Sequence, residues 1–129
     1  MNLYCRKNPQ KLNNFPFTPM NEQHEMVLAL ADELVRMQQN LARMDSAVRG
    51  YKQLQRSVQR MNTILQAAGY EVVDMLGQPY SDGMRVVASF NLDDSMPPGQ
   101  QLITAVSRPQ VNYQGEMIQV AMVTVSQKP

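Results

Sequence analysis

Residues 27–65 read VLALADELVRMQQNLARMDSAVRGYKQLQRSVQRMNTIL, and apolar residues return through them every three or four positions without a proline. Val27, Leu34, Leu41 and Val48 fall seven apart, as do Leu30, Met37, Met44 and Tyr51, which sets both series on one side of an α-helix. The series resumes as Leu54, Val58, Met61 and Leu65, with one interval of three where four is expected, next to Gly50. Such a slip is either a stammer in one long helix or a turn between two.

Length weighs on that choice. A straight helix over residues 22–68 spans about 70 Å, too far to bury its stripe against its own chain. It folds back near Gly50, or it pairs with a second copy. Glycine costs about 1 kcal/mol in a helix interior, but residues 45–51 hold no proline and several good helix formers. The reading taken is one long helix, straight or kinked, with a helical hairpin as the alternative. The expected fold class is α+β, with this helix forming a dimeric coiled coil or bundle, followed by a small, mainly antiparallel β domain. Val27, Leu30, Leu34, Met37, Leu41, Met44 and Val48 are the expected dimerisation contacts of a homodimer.

Outward from the helix, residues 1–18 hold several asparagines, Pro9 and Pro16 and read as a mobile tail, with Phe15 and Phe17 its only large apolar grip. Thr18 before Pro19 is a candidate N-cap, with Asn21 a second start nearby. Residues 19–68 form the expected helical dimerisation region. Arg49, Lys52, Arg56 and Arg60 recur at helical spacing; without interleaved aromatic rings the stripe reads as a solvated face and not as a nucleic-acid surface. Gly69 stands where a C′ glycine ends a helix. After it the period becomes strand-like, with strands expected at residues 70–75, 84–90, 102–106, 111–113 and 117–125, and a turn-rich loop through Asp93, Asp94, Pro97, Pro98 and Gly99. Residues 69–129 are the expected β domain, near the lower size limit for a core of its own, so it is expected to lean on the helix.

The chain has 129 residues and a formal net charge of +1, an ordinary soluble composition that does not suggest nucleic-acid binding. Cys5 is the only cysteine and His24 the only histidine; their separation matches no zinc-site spacing, and His24 is expected to face solvent. Asp93 and Asp94 read as turn-capping acids, not metal ligands. No phosphate loop, nucleophile elbow or dinucleotide fingerprint is present, so the expectation is a binding protein without enzymatic activity, catalytic residues, cofactor or metal. No apolar run approaches a membrane span and residues 1–10 lack a signal-peptide core, which makes cytoplasm the default expectation.

Within residues 69–125 a family resemblance emerges. Gly69-Tyr70-Glu71-Val72-Val73, then Gly77-Gln78-Pro79-Tyr80, then Asp93-Asp94 with Pro98-Gly99, and finally residues 115–125, closest at Ala121 to Val125, together resemble GrpE, the nucleotide exchange factor of DnaK-type chaperones. The resemblance implies a helical dimerisation region ahead of a small β domain that enters the chaperone's nucleotide-binding domain and promotes ADP release. The stalk is shorter than the family's, and Glu116 and Gln119 stand where the family carries two arginines. Exposed residues of the β domain, Arg85, Arg108, Tyr113, Glu116 and Gln119, are the expected partner contacts. The alternative is a coiled-coil adaptor or scaffold that kept the fold without exchange activity.

Overall fold

The structure is a computed structural model and describes residues 21–129. The expected tail, with Cys5, Phe15 and Phe17, and the Thr18–Pro19 helix start lie outside the described residues. Helix α1 (Glu22–Arg43) begins at Asn21, whose extended backbone lets Oδ1 accept the His24 N–H at 2.8 Å. Glu22 and Glu25 fill its first turn, the favourable sign at a helix N-terminus.

The expected long helix does not form. Met44 turns extended at the end of α1. Asp45 then accepts the Ala47 N–H at 2.9 Å, a local bond that competes with helix continuation. Gly50 adopts φ 89° at the start of α2 (Tyr51–Ala67), a conformation open to glycine at little cost. The phase slip is therefore a turn, and the two helices, of 22 and 17 residues, fold back as a hairpin in place of a coiled-coil stalk. Folding back is favoured because it buries Leu34, Leu41 and Val58 together, with Met44, Tyr51 and Leu65 packed around them. The seam is thereby divided. Val27, Leu34 and Leu41 are buried within the chain, Met44 is half-buried, Leu30 and Met37 stay exposed, and Val48 is exposed in the turn.

Gly69 follows α2 at φ 94°. A Cβ there would lie 3.4 Å from the Tyr113 ring and 3.5 Å from Gln114 Cγ. Gly69→Val is expected to lower the midpoint of thermal unfolding by several degrees, since a left-handed L-residue costs about 1–2 kcal/mol and a β-branched one more. A circular-dichroism melt identical to wild type would show that the helix end tolerates a side chain.

Six strands follow: β1 (Tyr70–Val73), β2 (Val86–Leu92), β3 (Gln101–Arg108), β4 (Gln110–Tyr113), β5 (Glu116–Gln119) and β6 (Ala121–Gln127). They form two three-stranded sheets, β1-β4-β5 and β2-β6-β3. All pairings are antiparallel except β2 with β6, which is parallel. The single arm expected at residues 117–125 is two strands, because the chain leaves one sheet and enters the other at Val120. Pro109 makes the reverse crossing between β3 and β4, and Gln119 Nε2 donates to its carbonyl at 2.9 Å, tying the two crossings together.

Helix α1 lies against both sheets. Val27 and Ala31 pack with Tyr70 and Val111 of the first, and Val35 packs with Ile103, Val106, Val123 and Val125 of the second. Where the β3–β6 register shifts between Val106 and Arg108, Gln39 serves the Val106 backbone from the helix. Its Nε2 donates to Val106 O at 2.8 Å and its Oε1 accepts from Val106 N at 3.3 Å. The β strands thus complete their core with α1, as their size required.

Candidate interaction surface

The junction of helix and sheet is built on His24, which is buried, not solvent-facing as the sequence suggests. Its Nδ1 lies 2.6 Å from Tyr70 Oη, a hydrogen bond whose direction depends on the tautomer. Gln23 Nε2 donates to the same hydroxyl at 3.1 Å. The His24, Tyr70 and Tyr113 rings meet edge-on or tilted, with centroids 4.6–5.5 Å apart, a favourable aromatic geometry. The reason the sequence misled is that an imidazole on a first helical turn faces solvent only if no sheet covers that turn. Here the carbonyl of Gly69 accepts from Gln114 N at 2.9 Å, which fixes the β4–β5 hairpin, and with it Tyr113, beside the helix end.

Burial raises the Tyr70 hydroxyl pKa above the ordinary 10.0, opposed by the Gln23 hydrogen bond and assisted by Tyr113. A native pKa raised in this way contributes stability that is full below the ordinary value and is lost as pH rises through the native one. Denaturant melts are therefore expected to weaken in strongly alkaline solution, and Tyr70→Phe is expected to flatten that decline. An identical alkaline slope in the variant would contradict this role.

A second contact involves two of the residues expected to meet a partner. Asp32 of α1 is reached by Arg108 Nε at 3.5 Å and by Gln119 Nε2 at 3.2 Å. The Arg108 side chain is 55% exposed, so the ion pair itself is worth little after solvent screening. Its effect is geometric, because it and Gln119 orient the β3 and β5 ends on the helix. The five expected partner residues therefore do not converge. Gln119 points to α1 and Tyr113 lies in the aromatic junction, whereas Arg85, ahead of β2, and Glu116, after the β4–β5 turn, are exposed. Arg108 is shared between solvent and Asp32.

Glu116 is presented by a tight turn in which Gln114 and Gly115 have φ 50° and 85°, the left-handed pair that matches strand twist in a two-residue hairpin. Asp93, in the loop after β2, sits below its ordinary pKa because the Ser95 hydroxyl and backbone N–H donate to Oδ1, at 2.7 and 2.9 Å. Arg49, Lys52, Arg56 and Arg60 are all exposed on or beside α2.

The hairpin adds a surface that the seam pattern concealed. Leu30, Met37, Met61 and Ile64 line a groove of about 160 Å³ whose floor includes Leu34 and Leu65. Leu30 and Ile64 are 53% and 66% exposed.

Among the described residues, no group of three or more His, Cys, Asp or Glu is placed to hold a metal ion, and no helix is long and apolar enough to cross a membrane. Comparison with known proteins finds no family model that matches the chain, and no curated protein matches it either.

Proposed function

We propose that the chain is a protein-binding module of the GrpE kind, which docks its β strands on the nucleotide-binding domain of a DnaK-type chaperone and favours the open cleft. The observation that carries this reading is the junction. Gly69, the aromatic cluster and the Asp32 contacts join the strands to α1, while Arg85 and Glu116 are exposed. An element that binds the open state better than the closed one shifts the chaperone's equilibrium towards ADP release. The work is done by binding, in the cytoplasm and without a cofactor. A homodimer fits the same reading, with the groove of Leu30, Met37, Met61 and Ile64 as its contact.

The second reading, an adaptor that kept the fold without exchange activity, is favoured by one pair of residues. Glu116 is acidic and Gln119 is engaged with Asp32, so neither offers a partner the positive charge that an arginine would. With a standard bacterial DnaK-type chaperone the protein is expected to release labelled ADP slowly, and Glu116→Arg is expected to raise the rate, more so at low salt. Gln119→Arg is not a clean test, since it would place a second guanidinium at Asp32. Stopped-flow release at full speed by the wild type would show that the acidic position is immaterial.

A further inference from the structure

Strand β2 is an open edge. It pairs with β6 alone, in continuous register from Val86↔Ala121 to Leu92↔Gln127, and has no second neighbour among the described residues. The other edge of this sheet is covered, since the 77–80 turn bonds to β3 through Gly77 N to Ile103 O, Ile103 N to Gln78 O and Tyr80 N to Gln101 O. Edge strands are ordinarily guarded by lysine, proline or a bulge. Val86–Leu92 has none of these, and Val87, Phe90 and Leu92 are 51%, 52% and 62% exposed.

The edge is also self-complementary. Asp93 N donates to Gln127 O at 2.8 Å, which fixes the alternation: Val87, Ser89 and Asn91 turn their backbone groups to β6, and Val86, Ala88, Phe90 and Leu92 turn theirs outward. Arg85 and Asp93 each stand four residues from Ser89. A second copy rotated by a half-turn about Ser89 therefore sets Arg85 against the partner's Asp93, twice over. The same rotation sets Val86 against the partner's Leu92 and Ala88 against the partner's Phe90. Those apolar pairs are the ones with free backbone groups on both sides, so they fall on hydrogen-bonded positions. The Ser89 pair and the charged pairs fall on the positions between, where side chains approach most closely. Asp93 Oδ1 is taken by Ser95, leaving Oδ2 for the guanidinium.

We propose that β2 is a self-pairing edge through which two copies join, antiparallel and centred on Ser89, so that the β2-β6-β3 sheet of one continues into that of the other. The pairing is isologous and closed, with Arg85 and Asp93 setting its register. It uses a surface separate from the hairpin groove; Arg85 is also offered to the chaperone in the proposed function, so trapping is measured without chaperone and its failure is distinguishable from failure of that reading.

The test is disulfide trapping in full-length protein carrying Cys5→Ser. Non-hydrogen-bonded cross-strand pairs have Cα atoms about 4.5 Å apart, within disulfide reach, so Ser89→Cys is expected to form a covalent dimer rapidly on mild oxidation. Val87→Cys meets the partner's Asn91, leaving the two copies of residue 87 about 14 Å apart along the strands, and is expected to stay unlinked. Adding Arg85→Asp to Ser89→Cys should slow trapping about tenfold, and Asp93→Arg in the same chain should restore it. Leu30→Asp with Ile64→Asp should leave trapping unchanged. Absence of a Ser89→Cys dimer, or equal trapping of Ser89→Cys and Val87→Cys, overturns the proposal, as does trapping that Arg85→Asp does not slow.

Discussion

Leu34→Asp with Leu41→Asp is expected to unfold the helical hairpin, and not to release a folded monomer from a dimer. The two leucines are 2% and 8% exposed and meet Val58 within the same chain. A carboxylate at either site is buried without a partner, a change that belongs to the few costing more than about 4 kcal/mol. Two of them rival the whole stability of a small domain, about 5–15 kcal/mol. Loss of helical circular dichroism at room temperature is the expected readout. The contrasting pair, Leu30→Asp with Ile64→Asp, lies on exposed positions and is expected to keep helix content and melting behaviour while abolishing any dimer made through the groove. If the Leu34/Leu41 variant stayed fully helical and only halved its sedimenting mass, those residues would lie between chains and the hairpin would be wrong.

Tyr70→Ala is the second large effect. Tyr70 is 1% exposed and joins α1, β1 and β4 through His24 and Tyr113. Removing a buried aromatic ring costs about 3–5 kcal/mol, and here it also strips His24 Nδ1 of its hydrogen bond while Nε2 has no partner among the described residues. Tyr70→Phe separates the two contributions, because it keeps the ring and removes only the hydroxyl, at about 1–3 kcal/mol for the polar group left unpaired. Urea unfolding of the three proteins is expected to rank wild type, then Phe, then Ala. Equal midpoints for Phe and Ala would mean that the ring contributes nothing and that the junction is held elsewhere.

Much of this architecture is written locally. The helical period of residues 27–65, Gly69 at the end of α2, the turns around Gly77 and Asp93, and the strand character of the last third all follow from residue types and spacing. What could not be read are the choices that depend on distant partners. A seam of Val27, Leu34 and Leu41 has the same period whether it meets a second copy or α2, and only the Asp45 and Gly50 backbone decides. His24 is separated from Tyr70 by 46 positions, and Gln39 from Val106 by 67, so no local pattern marks either. The strand-favouring run of residues 116–127 continues through Val120 without a glycine or proline, which hides the passage from one sheet to the other.

The expected partner surface shows the same limit. The exposure of Arg85 and Glu116 was legible because they lie beside turns, where side chains face outward. Arg108 and Gln119 are polar residues at strand ends, which suggests exposure, but their strands end against α1, where Asp32 engages both. That contact makes part of the surface structural and concentrates the binding hypothesis on the remaining exposed residues.

The measurement that bears most directly on the proposed function is the rate of fluorescent ADP loss from the DnaK-type chaperone of the same cell, followed by stopped flow as this protein is added. The expected result is a rate that rises with its concentration and saturates, and a rise that Arg85→Glu weakens while the helical circular dichroism of the protein is unchanged. A rate unchanged at saturating protein, with binding to the chaperone also undetectable, would contradict the exchange-factor reading.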